Sequence, residues 1–585
     1  MTSIVSLREI AHSRSGEKGN SSMISVIAYD MADFELLSEQ VSVETVRKLF
    51  GPITKGEIQR YEAPRIGALN FVLNEVLEGG RSRTLAFEES GKALSSLMLT
   101  LPISLPAGRP ARTSPYKTDK LATDNSTPPT RDQTVKTIRL GAATAWSRDR
   151  FEPAQELVEK GDLDYLCFES MSEVTMSAAQ VARLDAGASV GYDPYLTARL
   201  SPILAQCKEK GIKIISNQGW LDPASAARKL RELATELGIE QLKIATVDGG
   251  VLTDRIANLG LTYIENGEPI SDSRDRIVSA EAYLGCEGIV QALREGADVV
   301  ITTRVADACL YLGPLAFEFN WSLDDHEKMA RGMTVGHLME CGAQVCGGYF
   351  ADPGYKDVPN LDRVGHPIAE VTEDSIVLTK TPGSGGLLTP ATCKEQLLYE
   401  VANPAQYLGP DCVTNLADVC FSQVVENTVQ VNVHEGIGGH KPATLKALVG
   451  IREGYMTEEM VIFAGPGALE RARMTQEILE KRFKAVALDA KEVRFDYLGM
   501  NAVHREATPT VPADPYEVIL RVAIKTNRRE EAEKLRKEID PLAVNGVSGT
   551  GKWATSASGS RVSTVIGLNS CLVPRDIVSV TVNFF

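Results

Sequence analysis

The chain holds no window of roughly 18 uninterrupted apolar residues, so a membrane-spanning helix is not expected. Its opening residues, MTSIVSLREIAHSRSGEKGN, have neither the apolar core nor the small-residue cleavage site of a secretory signal. Disulfide spacing is absent too. The ten cysteines are scattered, mostly inside apolar runs such as YLCF around Cys167 and ACLYL around Cys309. Thiols placed like this behave as small buried hydrophobes and point to a reducing compartment, so a cytoplasmic location is expected. Basic charge is in deficit: 62 Lys and Arg face 77 Asp and Glu, a formal net charge of −15. That is the wrong sign for a protein that grips a phosphate backbone, and no nucleic acid partner is expected. The common catalytic signatures are also missing. There is no GxSxG elbow, no HExxH and no GxGxxG in a strand–helix context, so no cofactor and no metal is assigned.

What is present is ample material for globular cores. Over 585 residues the apolar fraction is 43% and the charged fraction 24%, enough for about two to four domains. Residues 1–105 read as a small α+β unit. LREIAHS fits an edge strand, SRSGEKGNSS a loop and MISVIAYD a strand. VSVETVRKLF fits a helix ending at Gly51, IQRYEA a strand, RIGALNFVLNEVLEGG a second helix and SSLMLTLPI a last strand. The order β-β-α-β-α-β suits a ferredoxin-like plait. Residues 106–135, rich in Pro, Ser, Thr and charge, fit a flexible linker.

Beyond it come repeated strand–helix units. IRLGAA, DYLCFES, IKIISN, LKIATV and DVVITT are short apolar runs. EPAQELVEKG, SAARKLRELATELG and SAEAYLGCEGIVQALREG are helical patterns, each ending at a glycine. Buried strands alternating with amphipathic helices predict an α/β domain with a doubly wound parallel sheet over 136–404. From 405 to 585 the pattern becomes α+β, with strands in NTVQVNVHE, YEVILRVAIKT and IVSVTVNFF.

In an open parallel sheet, ligands bind outside the carboxyl ends of the strands. Thr144, Trp146, Glu169, Glu173, Asn217, Gln218, Asp248, Arg304 and Asp307 all fall there. Polar groups gathered at an apolar rim are costly unless they serve one another or a ligand. Arg304 suits a carboxylate, and Glu169, Asp248 and Asp307 suit acid–base work; Asp307 also fits a helix N-cap. In the segment 13–20, Gly16 and Gly19 let amides converge, and Arg14 and Lys18 add charge. Arg14, Ser15, Gly16 and Lys18 are therefore candidate anion ligands, the alternative being a solvated hairpin loop. His434 and His440 bracket Glu435 in VHEGIGGHKP and are acid–base candidates, or incidental loop histidines. Gly383–Gly386 forms a glycine-rich turn, from which Gly385 and Gly386 are candidate substrate contacts. The segment 546–552 spells GxxxxGK, yet Trp553 stands where a P-loop needs Ser or Thr and a charged helix precedes it, so nucleotide binding is not expected. His337 and Cys341, with Cys346 nearby, make half a zinc pattern that nothing completes, and core packing is the expected role.

The wording of 279–401 carries a resemblance. The runs SAEAYLGCEGIVQALREGADVVITTRVADACLYLGPLAFEFNW, GHLMECGAQVCGGYFADPGYKDVP and TKTPGSGGLLTPATCKEQLLYEV resemble the acyclic terpene utilisation (AtuA-like) family. The resemblance spans nearly all of 1–105 and 137–585. RSGEKGN is similar to the family's RSGDKGN, with Glu17 in place of Asp. The small ferredoxin-fold domain that ordinarily follows the large one precedes it here. The resemblance implies catabolism through acyl intermediates. A lyase or isomerase acting on a small anionic substrate, carboxylate or acyl-CoA, is the expected activity, with a homo-oligomer as the expected assembly. A non-catalytic binding or scaffold protein is the alternative.

Overall fold

The computed structural model describes residues 3–107, 135–186, 191–553 and 562–585. Most of the expected linker, 106–135, lies outside the described residues. The N-terminal unit is built on a four-stranded antiparallel sheet in the order Ala11–Lys18, Ser21–Ala28, Ala68–Leu73, Ile58–Ala63. Helices Phe34–Gln40 and Val43–Phe50 connect its second and third strands in sequence, and Ser42 caps the latter by accepting from the Thr45 N–H (3.1 Å). One sheet face buries Ile24, Val26, Leu69 and Phe71 against Leu37, Val46 and Phe50. The other face packs on the large body.

Several expectations fail in this unit: LREIAHS opens with a 3-10 turn, Leu7–Glu9, and most of SSLMLTLPI is helix and turn rather than strand. Ser13–Lys18, read as a loop, belongs to the strand Ala11–Lys18. Ser, Gly and charged residues have low strand propensity, but burial of both faces overrides it. The segment 65–80, read as a helix, is a short 3-10 turn, Pro64–Ile66, then the strand Ala68–Leu73. All six residues of that strand are buried, and a continuous apolar run does not tell helix from strand by period. The helix of this region is instead Leu94–Met98, ahead of the strand Pro102–Leu105.

The large body is mixed α/β. Its ten-stranded sheet has five parallel strands, in the order Ile138–Thr144, Tyr165–Phe168, Lys213–Ser216, Val299–Thr302, Ile244–Asp248. These are the five runs read from the sequence. The sheet is not wholly parallel, however. Pro367–Val371 and Ile376–Lys380 extend one edge antiparallel, and Thr581–Phe584 pairs antiparallel with Ile244–Asp248 on the other. Helices Glu152–Lys160, Leu204–Lys210 and Pro223–Glu236 cover one face; Glu287–Arg294 and Cys309–Glu318 cover the opposite face.

A second, six-stranded sheet hangs on Thr444–Ala464, a strand of 21 residues. Its first half pairs with Ile277–Ala282 and Ser563–Pro574, its second with Glu517–Thr526. A bulge between Arg452 and Gly454 separates the halves. Gly454 has φ +128, and a Cβ there would sit 2.1 Å from the Thr526 carbonyl oxygen, so only glycine lets the strands meet. Ser279–Ala282, expected to start a helix, lies in this sheet, and the helix begins only at Glu287. Among the described residues no helix is long and apolar enough to cross a membrane.

Candidate functional site

The five parallel strands end at one rim, and the loops after three of them carry a connected polar cluster. Glu169 directly follows Tyr165–Phe168 and is 4% exposed. Its Oε1 accepts from the Met171 N–H (2.6 Å) and from Asn217 Nδ2 (3.2 Å). Asn217, the first residue after Lys213–Ser216, accepts in turn from the Ser170 N–H (2.7 Å). Arg304, two residues past Val299–Thr302, donates through Nη1 to the Met171 carbonyl (3.1 Å) and through Nη2 to the Tyr283 hydroxyl (2.9 Å). Its Nη1 lies 3.5 Å from Asp307 Oδ1, an oxygen that is buried and has no hydrogen-bond partner among the described residues.

The six-stranded sheet closes a second side. Tyr283 follows the strand Ile277–Ala282, and its ring lies under the Arg304 guanidinium (4.3 Å). Lys446, on Thr444–Ala464, pairs with Glu173 (2.8 Å), the first residue of the helix Glu173–Ala186. Glu281, one residue short of the strand end, is 3% exposed.

The strand Ala11–Lys18 forms the third side, and strand geometry decides which of its residues matter. Side chains alternate, so His12, Arg14, Gly16 and Lys18 face the large body. Ser15 turns inward, donating to the Lys92 carbonyl (2.7 Å) in its own domain. Arg14 stacks on the Tyr399 ring (3.8 Å) and donates to Gln344. At Gly16 a Cβ would lie 2.7 Å from both Tyr399 and Glu400, so glycine permits the close approach. Lys18 pairs with Glu400 (3.1 Å), whose backbone sits in the left-handed region at φ +57. Strain of that kind gathers at functional sites.

Exposure is graded across the cluster. The floor, Glu169, Asn217 and Arg304, is at most 4% exposed. The mouth is more open: Glu173 is 21% exposed, Asp307 27% and Lys18 47%. Burial, and then the Asp307 charge, push the Glu169 carboxyl well above its usual range. Burial raises Asp307 to about 6 against the pull of Arg304. It likewise lifts Glu281 to about 8, with Arg304 opposing. At Glu173 burial loses: Lys446 and Lys18 bring the carboxyl down to about 2. The cleft thus sets carboxyls raised above their usual range beside cations.

The rest of the expected residues have other partners. Asp248 ends its strand with its carboxylate accepting from the Gly249 N–H (2.6 Å). His434 and His440 are exposed; His434 Nε2 lies 3.1 Å from Arg65 Nη1 and 3.8 Å from the Cys420 thiol. The Gly385 and Gly386 amides already donate to the carbonyls of Arg363 and Pro359 (2.9 and 2.8 Å), leaving none to cradle an anion. The GxxxxGK segment follows helices Arg529–Ile539 and Leu542–Asn545 rather than a strand. His337 is 2% exposed, with Nε2 donating to the Leu397 carbonyl (3.0 Å). Among the described residues no group of three or more His, Cys, Asp or Glu side chains is placed to hold a metal ion.

Family models match both folded units. The model of the acyclic terpene utilisation family protein AtuA matches residues 138–584. The chain belongs to the AtuA family. The AtuA ferredoxin-like domain matches residues 5–104, ahead of the large domain in the chain. No curated protein and no solved structure matches the chain. The family is named for acyclic terpene utilisation, and the cleft of this member is built by both matched regions. Sequence reasoning missed Tyr283, Glu281, Lys446 and Glu400 in that cleft. A lone lysine inside the apolar run TLKALVG was the one available signal.

Proposed function

We propose that this AtuA family member is an enzyme that binds a small anionic acyl compound, carboxylate or CoA thioester, in the rim cleft. There it moves a proton by acid–base chemistry, as a lyase adding or removing water or as an isomerase. The observation that carries the reading is Arg304, buried beside Glu169 and Asp307, two carboxyls that burial raises above their usual range. A general acid or base works best with a pKa near the operating pH. Paired carboxyls in unequal environments divide the roles: Glu169, the deeper of the two, is assigned the acid, and Asp307, nearer the mouth, the base. Lys18, Arg304 and Lys446 supply the positive field that an anionic ligand needs.

A thermal-shift screen of short branched carboxylates and their CoA thioesters, on wild type and Arg304→Ala, tests the reading. Stabilisation of wild type by one class, lost in the variant, supports it. Silence across all acids and thioesters, with partner proteins recovered by affinity capture, favours a scaffold role instead.

A further inference from the structure

Tyr283 holds an unusual position among the groups of the cleft. Its backbone N–H donates to the Lys446 carbonyl (2.8 Å), which ties the residue to the end of the six-stranded sheet. Its ring lies between two cations, 4.3 Å from the Arg304 guanidinium and 5.5 Å from the Lys446 ammonium. Its hydroxyl oxygen accepts from Arg304 Nη2 (2.9 Å). A phenol has one proton to give, and among the described residues that proton has no acceptor. The hydrogen bond from a guanidinium polarises the O–H and makes it a stronger donor. Burial raises the phenol pKa, so the proton is retained at neutral pH.

We propose that Tyr283 is a further catalytic residue of the cleft, giving its hydroxyl hydrogen bond to the carbonyl oxygen of the acyl ligand. This rests on the acid–base reading above. In an isomerisation the Asp307 carboxylate takes a proton from the acyl chain; the freed electron pair shifts through the conjugated system and the carbonyl π pair moves onto the oxygen, leaving a C–O single bond. The resulting enolate oxygen receives the Tyr283 hydrogen bond, with Arg304 behind it. The enolate then collapses, the carbonyl re-forms, and Asp307 returns the proton to a different carbon. No bond order is gained or lost overall, and no oxidant enters. A donor aimed at developing oxyanion charge lowers a barrier more than it tightens binding.

The probe is but-2-enoyl-CoA labelled with carbon-13 at the carbonyl, bound to the full chain and read by difference infrared spectroscopy. Wild type should move the carbonyl stretch to lower wavenumber. Tyr283→Phe, which keeps the ring between its cations, should lose most of that shift while affinity falls no more than about tenfold. Tyr283→3-fluorotyrosine, with a more acidic phenol, should deepen the shift and serves if the Phe variant does not fold. An unshifted carbonyl in the wild-type complex, or a shift retained in Tyr283→Phe, overturns this assignment alone. Failure of wild type to bind any acyl probe overturns the acid–base reading and Tyr283 with it.

Discussion

Replacing Glu395 by Gln removes a negative charge from a place where no other group supplies one. Glu395 lies on the helix Pro390–Leu398 and is 1% exposed. Its Oε1 sits 2.6 Å from Nδ1 of His12, across the junction with the N-terminal unit, and 2.8 Å from the Lys356 ammonium. Lys356 is itself 5% exposed and also overlies the Phe350 ring at 4.4 Å. Burial works against the Glu395 charge, but Lys356 and then His12 outweigh it and hold the carboxyl below its usual range. Losing one partner of such a buried pair typically costs about 3–5 kcal/mol, mostly from the charge left behind. The strand Ala11–Lys18 carries His12, so its amides should exchange with solvent faster in Glu395→Gln, by roughly two to three powers of ten at 1.4 kcal/mol per decade. Hydrogen-exchange mass spectrometry on that strand reads this directly. Glu395→Gln combined with Lys356→Met should recover most of the protection, because the stranded cation is gone. Acceleration below about tenfold, or no rescue in the double variant, would refute the view that this pair holds the N-terminal unit down. The pH dependence has a definite sign. Burial lowers the His12 pKa from 6.5, so the unfolded chain binds the proton first, and stability falls as pH drops below about 6.5. Glu395, also depressed, adds a further loss at lower pH.

Asp307 behaves in the opposite sense. Its folded pKa of about 6 lies above the unfolded 3.8, so its contribution is intact below pH 4 and is lost as pH rises through 6. Asp307→Asn should therefore be more stable than wild type at pH 8, by about 2–3 kcal/mol at 1.36 kcal/mol per pKa unit. Equal melting temperatures of the two proteins at pH 8 would contradict this. Arg304→Ala should weaken binding of an anionic acyl ligand by about 2–5 kcal/mol in a calorimetric titration, and unchanged affinity would remove Arg304 from the site. Gly454→Ala, forced against the Thr526 carbonyl, should cost about 2–4 kcal/mol, and an unaltered thermal midpoint would show that the bulge can be rebuilt. His434→Ala and His440→Ala should leave both stability and anion binding within about 0.5 kcal/mol of wild type, as exposed side chains do; a lost ligand response in either would return them to the chemistry.

Local sequence determined the kind of element for the five parallel strands, though not for the equally buried strand Ala68–Leu73. The runs behind Ile138–Thr144, Tyr165–Phe168, Lys213–Ser216, Ile244–Asp248 and Val299–Thr302 are short and largely apolar because helices cover both sheet faces, and each is followed by a loop and a helical pattern, as in a parallel sheet. With the strands known, the carboxyl-end rule pointed to Glu169, Asn217, Arg304 and Asp307, and these four do converge. Asp248 satisfied the same rule, but its carboxylate bonds the Gly249 N–H. Val299–Thr302 inserts between Lys213–Ser216 and Ile244–Asp248, and strand order is set by packing between distant segments. For the same reason Tyr283 and Lys446 were illegible as site residues: they reach the cleft from a second sheet whose long strand begins more than a hundred residues after Arg304. The segment carrying Arg14 and Lys18 was recognised as chemistry-bearing but misread as a loop. Its polar residues lack strand propensity, and pairing with Ser21–Ala28 together with docking on Glu395, Tyr399 and Glu400 overrides it. His434 and His440 show the converse. Their spacing satisfied a local pattern, yet the loop that holds them faces solvent, since nothing in a short motif records what packs against it.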